Sequence, residues 1–360
     1  MEQSNDIFQM LDMMERPGFC VKDQIIIKVN AAAAQWGIAP GAAIDTLLYI
    51  GRDDYADFAG GYLYLTLMLA GKPCGVSVSR VGEYDIFLPE QESDQIELQA
   101  LALAARELRE PLNSVMSSAD RLLPLLESEE GDAAKAQAAR LNRGLFQLLR
   151  IICNMSDAGQ YSDTAFRPEV RDVCGFLDEI FGKAGELVRH AGITLSFTNL
   201  PSPLFCLIDA ERLERAIWNI LSNSMKFTPR GGSIEAKLTR RGNFLCLSVQ
   251  DSGEGIDDAA RSSIFSRYTR QPGIEDGRFG IGLGMVLIRS TAAQHGGTVL
   301  IDHPEGQGTR ITMTLAIRRS DSTVVRSPIY RVDYTGGWDH SLIELSEILP
   351  ASLYEMDTPD

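Results

Sequence analysis

From residue 93 to about 128, Ile96, Leu101, Leu108, Leu112, Val115, Ala119, Leu122 and Leu126 recur mostly at three-, four- and seven-residue steps, the repeat of one long amphipathic helix. A polar stretch at 127–132, with Gly131 inside it, interrupts the pattern. Ala136, Leu141, Leu145, Leu148, Ile152 and Met155 then mark one face of a second helix. Two long helices around a short turn predict an antiparallel hairpin. Such a hairpin has nothing of its own to cover the stripe, and pairing with a second copy into a four-helix bundle is the economical solution. The expectation is a homodimer built around residues 93–159.

The hairpin divides a chain of 360 residues, long enough for about two or three cores. Before it, β-rich runs at 24–29 and 84–88 alternate with turn signals at Pro17-Gly18, Pro40-Gly41 and Lys72-Pro73, which predicts a small α+β domain over 1–92. After it, residues 160–319 alternate apolar runs at 193–198, 204–208, 233–238, 244–250, 298–301 and 310–317 with helical stretches at 172–190, 210–227 and 284–295. That order predicts a sheet with helices on one face, and for the whole chain an α+β multidomain fold. Residues 320–360 form a tail with eight acidic residues against Arg326 and Arg331. Such tails are often solvated. This one also holds Tyr330, Tyr334, Trp338, Leu342, Ile343 and Leu349, enough apolar anchors to dock on a domain or a partner.

A net charge of −15 disfavours nucleic acid as a partner, since affinity for a phosphate backbone rests on Lys and Arg. The six cysteines, Cys20, Cys74, Cys153, Cys174, Cys206 and Cys246, include no C-x-x-C pair and argue against a zinc site or a disulfide framework. No run reaches the ~18 apolar residues of a membrane span, and the opening MEQSNDIFQM lacks a basic region followed by an apolar core. The expected location is cytoplasmic.

Chemistry concentrates in the last third. Asn219 and Asn223 lie four apart on the 210–227 helix, so both amides project from one face, and their carbonyl oxygens suit a magnesium ion bridging phosphates. Lys226 adds a point charge one turn on. Asp251, ending an apolar strand before Ser252-Gly253-Glu254-Gly255, can accept a hydrogen bond from an exocyclic amine. Gly280-Ile-Gly282-Leu-Gly284 lets backbone N–H groups approach phosphates at the start of a helix whose N-terminal dipole favours anions. A Rossmann site would need a strand just before these glycines, where the chain is loop-like, and no G-x-x-x-x-G-K-[ST] P-loop occurs. Taken singly, each feature also has an ordinary reading as a surface amide, a turn or a loop.

Their joint order resembles the N, G1 and G2 boxes of the GHKL superfamily, most closely the Bergerat-type ATP-binding α/β sandwich of sensor histidine kinases. The resemblance covers about 95–319 and includes Ile264-Phe265-Ser-Arg-Tyr268, similar to that family's F box. It implies ATP and Mg²⁺ as ligands: Asn223 on the metal, Asn219 and Lys226 on phosphates or metal, and Asp251 with Gly253 on adenine. It further implies Gly255, Gly280, Gly282 and Gly284 around the phosphates, residues 257–279 as a lid, and Thr309, within Gly306-Gln-Gly308-Thr309, near the adenine end. The N-terminal region, through Asn30, Ala31 and Trp36, resembles the opening of a PAS sensor domain, in which two strands lead into an Asn and a short helix.

One position breaks the resemblance. The family's first hairpin helix carries a phosphoacceptor histidine, where this chain reads Arg106-Glu107-Leu108-Arg109-Glu110-Pro111-Leu112. Phosphoryl transfer to that position needs a neutral imidazole nitrogen, and a guanidinium offers no available lone pair. The four histidines, His190, His295, His303 and His340, all lie outside the hairpin. Glu107 keeps the place of the family's acid/base residue but has no nucleophile beside it, and Glu110 replaces the residue that orients water for dephosphorylating a partner's phosphoaspartate. Pro111 is expected to kink the helix. Hydrolysis in the manner of gyrase would need a Glu where Asn219 stands, and an amide is no general base. The expectations are a pseudokinase or an enzyme acting in trans, with a response-regulator receiver domain or a partner kinase as the other protein. The alternative is an active kinase using another acceptor, Ser114, Ser117 and Ser118 being the nearest hydroxyls.

Overall fold

The computed structural model describes residues 2–129, 131–159, 166–255, 283–304, 308–318 and 338–355. Helix α1 (Glu2–Met13) leads into strands β1 (Phe19–Lys22) and β2 (Ile25–Val29), and Asn30 then caps the short α2 (Ala31–Ala34). Asn30 is buried and its side chain is fully used: Oδ1 accepts from the N–H groups of Gly18 and Ala33, while Nδ2 donates to the carbonyls of Leu11, Met14 and Arg16. A polar side chain is worth burying at this place because it closes five backbone contacts at once. β3 (Leu48–Ile50), α3 (Arg52–Ala56), β4 (Tyr62–Leu69), β5 (Lys72–Val81) and β6 (Tyr84–Pro89) complete the unit, with sheet order β2-β1-β6-β5-β4 and β3 paired to β4. Phe19, Ile26, Leu63, Leu65, Leu67 and Phe87 form its core.

The hairpin consists of α4 (Glu92–Glu129) and α5 (Gly131–Ala158), as the apolar spacing predicts, with the helical run continuing closer to the turn than expected. Pro111 lies inside one uninterrupted helix. The single stripe read from sequence divides in two. Leu112, Ala119, Leu145 and Ile152 are buried within the chain, whereas Ile96, Leu103, Leu108, Val115 and Leu122 on α4 and Leu141 and Leu148 on α5 are each at least 50% exposed. The apolar arc is thus wider than one packed stripe, with one side inside the chain and the other facing outward.

Beyond it come β7 (Glu169–Asp172), α6 (Val173–His190), β8 (Thr194–Thr198), β9 (Phe205–Ile208), α7 (Ala210–Phe227), β10 (Ser233–Arg241) and β11 (Phe244–Asp251). α8 (Leu283–Gln294), β12 (Val299–Asp302) and β13 (Arg310–Ala316) follow. The strands run β12-β13-β11-β10-β8, antiparallel except for the parallel β10–β8 pair, while β7 and β9 form a separate ribbon. Each expected element in this region is observed within a few residues of its predicted bounds.

What the sequence did not indicate is that β12 also pairs with β4, Val299 opposite Tyr64 and Ile301 opposite Tyr62, so both units share one 11-stranded sheet. Gly61 permits the approach: its φ is +87°, and a Cβ there would lie 2.3 Å from the Ile301 carbonyl oxygen. Arg241 bridges Asp54 and Asp57, and the buried Arg289 of α8 reaches Glu90 at 2.7 Å while lying over the Tyr64 ring.

The last described segment is docked. α9 (His340–Glu344) and the turn after it seat Ile343, Leu345 and Leu349, all fully buried, in the core that holds Leu149, Ile152, Ile217 and Leu221. Trp338 and Tyr354 each pack in a T-shaped arrangement with the Phe146 ring.

Candidate functional site

Asp251 owes its position to strand period. β11 alternates inward and outward, so Leu245, Leu247, Val249 and Asp251 share the core-facing side, and the fourth inward residue is a carboxylate. Oδ1 accepts from the N–H of Gly253 at 2.9 Å and of Thr309 at 3.1 Å. Burial raises the carboxyl's pKa above its ordinary 3.8, against the pull of these two backbone donors. Asp251, Gly253 and Thr309 are therefore brought together across 58 residues of chain. His303 borders them, its Nδ1 donating to the Gly308 carbonyl at 2.7 Å. Gly255 is adjacent, its backbone against the same imidazole.

α7 supplies the second part. Asp209 caps it, accepting from the Arg212 N–H, and Thr228 closes it by donating to the Ser224 carbonyl. Asn219 is buried, its Nδ2 donating to the Arg215 carbonyl at 2.9 Å, and its Oδ1 faces Gly284 so closely that a Cβ there would come within 2.8 Å. A residue larger than glycine at the start of α8 would push Asn219 away. Asn223, half-buried, directs Nδ2 at the Met285 sulfur, 3.9 Å away. The start of α8 and the amide face of α7 thus meet. Gly280, Gly282, the lid at 257–279 and Ile264, Phe265 and Tyr268 lie outside the described residues.

Lys226 is ion-paired to Glu347 of the tail. Glu347 also meets Arg150 at 3.1 Å, and Arg150 reaches Glu344 at 3.3 Å and donates to Ser222 Oγ at 3.0 Å. Glu344, completely buried, contacts Arg215 at 3.5 Å as well, and Arg215 pairs with Asp157. Burial alone would raise the Glu347 pKa, but Arg150 and Lys226 outweigh it and hold the carboxyl below its ordinary 4.5. Neither the pairing of Lys226 with Glu347 nor this network was expected. The available signal was Arg150 standing among Leu148, Leu149, Ile151 and Ile152, a charge inside an apolar run that needs a buried counter-charge.

Arg106, Glu107 and Glu110 are exposed on α4. His295 is buried with its Nδ1–H on the Thr291 carbonyl and its Nε2 accepting from the Asp209 N–H, a neutral structural imidazole far along the chain from the hairpin. Burial lowers its pKa below the ordinary 6.5.

Residues 208–319 match the family described as histidine kinase-, DNA gyrase B-, and HSP90-like ATPases. Histidine kinase P4 of Formosa agariphila is 25% identical over 244 residues, covering 65% of this chain and 18% of that protein. Histidine protein kinase DivJ of Caulobacter vibrioides is 29% identical over 244 residues, covering 63% of this chain and 40% of that one. Sensor histidine kinase WalK of Bacillus subtilis is 26% identical over 238 residues, covering 64% and 38%. Among solved structures, full-length ShkA in complex with AMPPNP aligns with a TM-score of 0.49 at 23% identity, over 61% of this chain and 46% of that one. The chain is thus similar to sensor histidine kinases over 63–65% of its length, and its residues 208–319 match the ATPase-type family. It spans less than half the length of these curated relatives. No described helix is long and apolar enough to cross a membrane.

Proposed function

We propose that this protein is a cytoplasmic, homodimeric, ATP-binding signalling protein of the histidine kinase type whose acceptor helix has lost self-phosphorylation, so that it works as a pseudokinase or on a partner in trans. The observation that carries this reading is the meeting of Asp251, Gly253 and Thr309 at one end of a site with Asn219, Asn223 and the start of α8 at the other. The donor set fits a magnesium nucleotide. The N–H groups of Gly253 and Thr309 both bond Oδ1, and Oδ2 would accept from an exocyclic amine. The Asn223 amide oxygen is the protein ligand suited to Mg²⁺, which takes most of its other ligands from phosphates and water. The α8 N-terminus, with Gly280, Gly282 and Gly284, would hold phosphate charge, Lys226 would add its ammonium, and Gly255 would shape the same loop.

At Arg106 the chemistry stops, because an exposed guanidinium cannot attack phosphorus and Glu107 then has no nucleophile to assist. The alternative, another acceptor on the hairpin, finds little support: Ser118 already donates to the Ser114 carbonyl within the helix. The outward apolar row on α4 and α5 supports a four-helix bundle with a second copy, and the strand order of residues 19–89 with the Asn30 cap supports a PAS-like sensor unit. The four-part organisation, 1–92, 93–159, 160–319 and a tail at 320–360, follows from the same reading. A response-regulator receiver or a partner kinase is the proposed target.

Incubation of the full chain with γ-labelled ATP, alone and with a receiver protein, tests this. Nucleotide binding without label on the chain is expected, and Arg106→His is expected to restore acid-labile self-labelling. Label on the unaltered chain would overturn the loss of self-phosphorylation, and absence of nucleotide binding would overturn the whole reading.

A further inference from the structure

We propose that the C-terminal segment 338–355 is an intramolecular latch that competes with nucleotide, the Glu347 carboxylate occupying the Lys226 ammonium that a phosphate would otherwise take. The proposal rests on the nucleotide reading of the site given above.

Three observations carry it. Lys226 is ion-paired to Glu347, so the cation one turn beyond Asn223 is already neutralised by a group of this chain. The pairing is held by a built frame: Arg143 donates to the carbonyls of Ser346 and Glu347, Gln147 donates to that of Ser346, and Asn142 donates to that of Tyr354. Arg150 and Arg215 clasp the fully buried Glu344 one turn earlier. The segment therefore ties the second hairpin helix to α7, the helix bearing Asn219, Asn223 and Lys226. A carboxylate and a phosphate are both anions seeking charge-assisted bonds, and one ammonium cannot be shared at full strength between a fixed carboxylate and a mobile polyphosphate. Lys226 must leave Glu347, at least in part, to serve a phosphate.

Linkage makes the consequence reciprocal: by whatever factor the latch weakens nucleotide binding, bound nucleotide loosens the latch by the same factor. Loss of one charge-assisted bond corresponds to about tenfold in affinity, and the partial exposure of Glu347 keeps the effect near or below that figure.

The test uses the full chain and Mg-ATP. Glu347→Gln is expected to bind Mg-ATP about threefold to tenfold more tightly than the unaltered protein. The gain is expected to vanish when Lys226→Gln is introduced in both backgrounds. Equal affinity of the unaltered chain and Glu347→Gln overturns the latch while leaving the nucleotide reading intact. No binding to either overturns the nucleotide reading and the latch with it. Should Glu347→Gln not fold, hydrogen exchange of the unaltered chain decides. Faster exchange across 338–355 on adding saturating Mg-ATP supports the latch, and unchanged or slower exchange overturns it.

Discussion

Neutralising Glu344 is expected to release the docked tail without unfolding the sheet. Its side chain is completely buried, with Arg150 at 3.3 Å and Arg215 at 3.5 Å, both guanidinium groups themselves nearly inaccessible. At the effective dielectric suited to such pairs each contact amounts to about 5 kcal/mol before the cost of taking the carboxylate out of water is subtracted. Removing one partner from a buried pair generally costs about 3–5 kcal/mol, because the other charge remains buried. Arg150 keeps Glu347 and Arg215 keeps Asp157, so Glu344→Gln falls at the low end, about 3 kcal/mol. That is about two orders of magnitude in the opening equilibrium. The buried residues Ile343, Leu345 and Leu349 have amides bonded within the segment, to the carbonyls of Asp339, Ser341 and Leu345, and their exchange reports its opening. Amide exchange by mass spectrometry is expected to accelerate about a hundredfold there and to stay unchanged in β11 and β13. Unchanged exchange in the tail would refute the reasoning and mean that Trp338 and Tyr354 on Phe146, with the aliphatic contacts, hold the segment alone.

Other outcomes follow from the same geometry. Asp251→Asn keeps an oxygen for the N–H groups of Gly253 and Thr309 but removes the charge, and is expected to weaken nucleotide binding at least about tenfold in calorimetry. Because the folded-state pKa of Asp251 is raised, its contribution to stability is present at low pH and lost as pH rises, so the same variant should melt no lower than the unaltered chain at neutral pH. The lowered pKa of Glu347 has the opposite sign: its contribution is complete above the ordinary 4.5 and lost as pH falls through the folded value, so tail exchange should quicken only in acid. Gly61→Ala forces a Cβ against the Ile301 carbonyl and should cost about 1–3 kcal/mol at the β4–β12 junction, read as faster exchange at 299–302; protection equal to the unaltered chain would count against the shared sheet. Burial pushes the thiols of Cys20 and Cys74 up to about 12 and that of Cys206 to about 11, so maleimide at pH 8 should label them far more slowly in the native chain than in denaturant.

By itself the sequence determined the local order. Period 3.6 laid out α4, α5 and α7, period 2 laid out β10, β11 and β13, and the i, i+4 spacing of Asn219 and Asn223 put two amides on one helix face, since these are properties of neighbouring residues. It also determined the absence of histidine at Arg106. Only the tertiary structure decided how an over-wide apolar arc is shared, with Leu112 and Leu145 turned inward and Val115 and Leu148 outward. It alone decided that β4 and β12, strands more than 200 residues apart, complete one sheet, because an open strand edge carries no signature of its partner. And it decided what Lys226 faces. A lysine one turn beyond two asparagines reads from sequence as a cation waiting for phosphate, whereas the folded chain brings Glu347 to it across 121 residues, and charge pairing over that span is set by which surfaces the core draws together.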